Sequence, residues 1–123
     1  MKKILLVEDV ELLRTAFCKG LSVSGFEIET AGNGYEGIEK AKELSKDLGI
    51  IISDIMMPVM DGFEMLEEIQ KDPDLKKVPV ILLTAAGSLE QVEKGKQVGA
   101  TDFFIKDNIS IENLADLIKK HII

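Results

Sequence analysis

The chain has no tryptophan, one cysteine, one histidine, one tyrosine and three prolines, and each scarcity excludes something. Cys18 has no second cysteine to pair with, and with Ala16 and Phe17 beside it, it reads as a buried structural thiol. His121 stands alone near the C-terminus, so neither a zinc site nor histidine catalysis has the residues it needs. Every apolar run falls far short of the ~20 residues a membrane helix requires, and no span is expected. Lys2-Lys3 before Ile4-Leu5-Leu6-Val7 imitates a secretory signal, but Glu8 and Asp9 end the run too soon, which makes the cytoplasm the expected location. Basic residues are also in deficit. With 15 against 22 acidic ones the net charge is −7, which repels nucleic acid phosphate and leaves no basic stripe for a DNA reader.

What remains is a chain of 123 residues, 46% hydrophobic and 30% charged, enough to bury one core without disulfide or metal staples. It reads as one domain over residues 1–123, with no linker or low-complexity segment. Short apolar runs alternate with helical periodicity. Strands are expected at Lys3–Val7, Glu27–Ala31, Gly49–Ser53, Val78–Thr84 and Asp102–Lys106. ILLV, IIIS, VILLT and FFI are almost unbroken apolar runs, as in strands covered on both faces, whereas Glu27-Ile28-Glu29-Thr30 alternates like an edge strand.

Helical faces are expected from Leu12, Leu13, Ala16, Phe17 and Leu21, from Tyr35, Ile38, Ala41 and Leu44, from Phe63, Leu66 and Ile69, and from Ile111, Leu114, Leu117 and Ile118. A weaker helix runs from about Leu89 to Val98 around Gly95. Asn33 with Glu36, Asp61 with Glu64 and Ser88 with Gln91 have capping spacing, and Ser110 starts the last helix. Five βα repeats with right-handed crossovers give an α/β, doubly wound, three-layer fold on a five-stranded parallel sheet.

In such a sheet ligands sit beyond the carboxyl ends of the strands, near the reversal of winding. Four of the five expected strands end in a chemically useful group: Glu8-Asp9, Asp54, Thr84 and Lys106. Singly each has an ordinary explanation. Asp54 and Lys106 can be strand ends, Thr84 a good strand former, Glu8-Asp9 a helix cap and Met56, Met57 and Met60 loop packing. Together they put three carboxylates, a hydroxyl and an ammonium at one edge. Two carboxylates about 4 Å apart repel by roughly 4 kcal/mol at an effective dielectric of 20, so the cluster calls for a cation. All-oxygen donors suit Mg²⁺, with Mn²⁺ as a substitute. Asp9 and Asp54 are the expected direct ligands, with Glu8 acting through a water. Asp54 has the chemistry to attack phosphorus and form an acyl phosphate, with Lys106 and Thr84 holding phosphoryl oxygens.

At these residues the chain resembles the response-regulator receiver family, CheY-like and flavodoxin-like in winding, over essentially its whole length. The matching pieces are ILLVED, ISDIMMPVMDG around Asp54, VILLTA with Thr84 and GATDFFIK ending in Lys106. The resemblance implies strand order 2-1-3-4-5, an order for which this family is one of the standard examples. It implies Asp54 as phosphoacceptor and Mg²⁺ on Asp9, Asp54 and the backbone carbonyl of Met56. The implied donor is a histidine kinase or histidine phosphotransfer protein. It further implies Thr84 and Phe103 as a coupled switch that reshapes the face of the fourth helix, fifth strand and fifth helix for a downstream protein target, or for a weak dimer. Catalysis would extend only to the chain's own phosphorylation and dephosphorylation. Asp107 stands where the family usually has proline, and a cis bond before a non-proline costs about 3–4 kcal/mol, so a trans bond and a different loop are expected there.

Three other functions compete. A dehalogenase-like phosphatase would need a second acid where Met56 stands. A flavin carrier would need a Ser/Thr/Gly-rich loop where Val10-Glu11-Leu12-Leu13 stands. A receiver working only through unphosphorylated contacts would have no use for the full set Glu8, Asp9, Asp54, Thr84 and Lys106.

Overall fold

The computed structural model describes residues 2–84, 89–105 and 111–122. Strands and helices alternate throughout: β1 (Lys3–Val7), α1 (Glu11–Val23), β2 (Glu27–Ala31), α2 (Gly34–Leu44), β3 (Leu48–Asp54), α3 (Gly62–Gln70), β4 (Val80–Thr84), α4 (Leu89–Gln97), β5 (Asp102–Ile105) and α5 (Ile111–Ile122). The five strands form one parallel sheet in the order β2-β1-β3-β4-β5.

The period-2 alternation of strand side chains splits the core into two layers. Leu5, Val7, Ile51, Val80 and Leu82 face one way and pack with Ala41, Phe63, Leu66 and Ile69 of α2 and α3. Ile4, Leu6, Ile50, Ile52, Ile81 and Leu83 face the other way and meet Phe17 and Leu21 of α1 and Leu114, Ala115 and Ile118 of α5. Among the described residues no helix is long and apolar enough to cross a membrane.

Several expectations shift. β3 reaches Asp54, one residue further than its apolar run, and β4 begins at Val80 rather than Val78. β5 is not covered on both faces. It is the second edge of the sheet, so Phe103 and Phe104 are half-buried and Ile105 is exposed. Leu12 (79% exposed), Ala16 and Tyr35 (55% exposed) fall off the buried faces assigned to them, because α1 and α2 bury narrower stripes than the apolar count suggests. Cys18 is half-buried beside Arg14, Thr15, Lys19 and Thr30, in a shallow surface recess rather than in the core. Met57 and Met60 do pack inside, while Met56 is exposed.

Asn33 caps α2 by accepting from the Glu36 N–H (2.9 Å), although the Glu36 carboxylate turns to the Gly32 N–H instead of closing a reciprocal box. Asp61 and Glu64 close theirs fully, at 2.9 and 3.1 Å. The caps expected at Ser88 and Ser110, and the Lys106-Asp107 loop, lie outside the described residues.

Candidate functional site

Register decides what meets what at the carboxyl edge. Val7 pairs with Ser53, so the next residues, Glu8 and Asp54, lie side by side. On the other flank Asp54 pairs with Leu83 and Thr84 with Ile105. One carboxylate oxygen each from Glu8, Asp9 and Asp54 fall within 4.8 Å of one another. Glu8 (0% exposed) and Asp54 (5%) are buried, and Asp9 is half-buried toward the opening.

The ordinary reading of Glu8-Asp9 as a cap does not hold. The N-cap of α1 is Val10, and no side chain caps it. Glu8 Oε2 accepts a long contact from the Val10 N–H, the N-cap residue's own amide, at 3.3 Å. The Glu8 backbone carbonyl is held from outside by the Arg14 guanidinium at 2.8 Å, an anchoring role that the sequence did not flag. Its one signal was a cation six residues past the acid, on the first turn of the helix.

Asp54 is oriented locally. Its Oδ1 accepts the Ile55 N–H at 2.9 Å, and Ser53 Oγ donates to its backbone carbonyl at 2.8 Å. The following loop turns sharply back: Met60 N–H donates to the Pro58 carbonyl (2.8 Å) around Val59, whose φ of 71° is strained for a β-branched residue. Gly62 then passes so close that a Cβ there would meet the Asp54 carbonyl oxygen at 2.5 Å, so only glycine allows the loop to close on the strand end. The Gly62 N–H seals the approach by donating to the Ile55 carbonyl at 2.8 Å.

The acids open into a cleft of about 270 Å³ lined by Asp9, Val10, Asp54, Ile55, Met56, Leu83 and Gln91. Met56 lines this cleft, and Thr84, 2% exposed, ends β4 one residue beyond Leu83. The Phe103 ring packs on α4, where a Cβ on Gly95 would meet Cε1 at 2.5 Å. Lys106 lies outside the described residues. Gln91 was assigned only a capping part, and the structure puts it on the cleft wall; a polar residue three positions into α4 gave no sign of that.

A buried, all-oxygen donor set with three negative charges fits a hard divalent cation far better than it fits an empty cavity.

The response regulator receiver domain family model matches residues 4–119. A probable transcriptional regulator of Porphyra purpurea, ycf29, is 40% identical over 94% of this chain and 54% of its own length. The transcriptional regulatory protein CusR of Escherichia coli is 35% identical over 92% of this chain and 48% of its own. The chain thus spans about half the length of these curated relatives. Among solved structures, the chemotaxis protein CheY4 of Vibrio cholerae superposes with a TM-score of 0.90 at 35% identity, covering 98% of both chains. The receiver domain of the Pseudomonas aeruginosa sensor histidine kinase PA1611, solved with a magnesium ion coordinated in its active-site cleft, gives 0.89 at 26% identity over 98% of this chain and 97% of its own. Strand order, clustered acids and a match along nearly the entire sequence agree, and the chain belongs to the response regulator receiver domains of two-component signalling.

Proposed function

We propose that Asp54 is the phosphoacceptor and that its phosphoryl group comes from a phosphohistidine on a histidine kinase or histidine phosphotransfer protein. The observation that carries this reading is the convergence of Glu8, Asp9 and Asp54 within 4.8 Å at the strand ends. An Asp54 carboxylate oxygen bonds to phosphorus as the donor's nitrogen–phosphorus bond breaks, and the electron pair leaves with the imidazole. Asp9, Asp54 and the Met56 carbonyl would hold Mg²⁺ or Mn²⁺, with Glu8 acting through a water. Bound there, the cation neutralises the acids and the incoming phosphoryl charge.

The Ile55 N–H holds one oxygen of the Asp54 carboxylate and so orients the group toward the cleft. Thr84 and Lys106 bind phosphoryl oxygens. The two added charges draw the Thr84 hydroxyl toward the phosphate, and Phe103 follows, reshaping the face of α4, β5 and α5 on which a downstream protein, or a second copy, docks. The chain catalyses its own phosphorylation and dephosphorylation and turns over no external substrate.

Acetyl phosphate with Mg²⁺ tests this directly. Wild-type protein should take up one phosphoryl group, and Asp54→Asn none. Undiminished labelling of Asp54→Asn at an unchanged site would refute the assignment. EDTA should abolish labelling, and labelling that survives chelation would remove the metal from the mechanism.

A further inference from the structure

Gln91 does not belong to the phosphoacceptor chemistry as proposed, yet α4 places it on the wall of the same cleft as Asp9, Asp54 and Met56. Although the residue as a whole is half-buried, its Oε1 is sealed from solvent and has no hydrogen-bond partner among the described residues. A buried amide oxygen without a partner forfeits the hydrogen bonds that water would give it, so its position makes physical sense only if a donor completes it in another state of the site. The phosphoryl group cannot be that donor, because its oxygens only accept. Water can.

We infer that Gln91 orients the water that hydrolyses the acyl phosphate on Asp54, and so sets how long the signal lasts. This rests on Asp54 being the acceptor. Gln91 Oε1 accepts one O–H of the water, whose oxygen bonds to phosphorus as the bond from phosphorus to the Asp54 carboxylate oxygen breaks. The electron pair returns to the carboxylate, the water's proton passes to a phosphoryl oxygen, and inorganic phosphate leaves. The Gln91 amide group donates to a second phosphoryl oxygen and keeps the water in line. A glutamine serves this purpose because it positions without titrating: it offers an acceptor and a donor and adds no charge beside the acids.

Gln91→Met keeps the length and flexibility of the side chain and removes its hydrogen bonding. Gln91→Glu keeps an acceptor oxygen at the same reach. Purified wild type and both variants would be phosphorylated with radiolabelled acetyl phosphate and Mg²⁺, freed of donor, and followed for phosphate release, with the phosphorylation rate and Mg²⁺ affinity measured on the same samples. The ratio of the release to the uptake rate constant should fall roughly tenfold in Gln91→Met, the worth of one hydrogen bond made in the transition state. Gln91→Glu should recover part of that ratio, because it restores the acceptor oxygen but not the amide donor and adds a charge beside the acids. An unchanged ratio in Gln91→Met overturns the inference, as does a Gln91→Glu that releases phosphate as slowly as Gln91→Met. A fall in Mg²⁺ affinity that accounts for the slower release also overturns it, since Oε1 would then serve the cation's hydration instead. If wild type takes up no label on Asp54, it is the phosphoacceptor reading that fails.

Discussion

On one side of the cleft β1 and β3 carry their acids into the middle of the sheet, with Glu8 and Asp54 buried and hydrogen-bonded strands on either flank. On the other side α4 and β5 form a margin, with Phe103 and Phe104 half-buried and Leu89 and Ile105 exposed. Charge is thus held where neighbours on every side resist movement, and the proposed readout is placed where side chains have fewer atoms to displace. The β3–α3 loop extends the rigid side: a closed capping box, Gly62 against the Asp54 backbone and Met60 packed inside all fix the acceptor. The margin has a contrasting device, the gap at Gly95 that admits the Phe103 ring.

Substitutions at these points measure the contrast. The largest effect is expected from Gly62→Ala, because the new Cβ meets backbone rather than a movable side chain. Denaturant unfolding should show a loss of about 3 kcal/mol. A loss nearer to 1 kcal/mol would mean that the acid side yields as easily as the margin does.

Removing charge should act in the opposite direction. Asp9→Asn takes one member from an acidic cluster that the fold must hold together, and without divalent cations it should gain about 1.5 kcal/mol, the full repulsion being discounted for the half-exposed position of Asp9. In millimolar Mg²⁺ the gain should shrink or invert, because wild type alone collects the full binding energy. Equal stability of the two proteins in EDTA would show that the acids do not strain the fold.

At the margin, Gly95→Ala should cost about 1 kcal/mol, as the added methyl displaces the Phe103 ring and overcomes alanine's better helix propensity. In a Phe103→Ala background the same change should stabilise by about 1 kcal/mol. A sign that does not reverse would separate Gly95 from Phe103. The smallest effect is expected at Val59, exposed and strained at φ 71°, where asparagine tolerates the conformation better. Val59→Asn should raise the midpoint of thermal unfolding by an amount equivalent to about 0.5 kcal/mol, and any loss would mean that the valine side chain has a packing role.

Much of this architecture was legible because it is local. Unbroken apolar runs marked β1, β3 and β4, the alternation in Glu27–Thr30 marked an edge, and Asp61 with Glu64 announced a capping box that forms in full. The reading failed where locality ends. FFI resembles ILLV in composition, yet one run becomes an edge and the other the interior, since the chain does not record how many strands will pair beyond it. Leu12 and Tyr35 look like members of an apolar face, but how a helix is rotated on its sheet depends on the partner surface.

The sequence by itself determined the alternation of strands and helices, the acids and hydroxyl at strand ends, and a motif set specific enough to indicate the family. Only the tertiary structure decided that Glu8 is wholly buried beside Asp54, that Arg14 grips the Glu8 carbonyl, and that Gln91 lines the cleft. The reason is physical. Distances between residues far apart in the chain are set by strand order and register, which arise from the packing of whole layers and are written in no single segment.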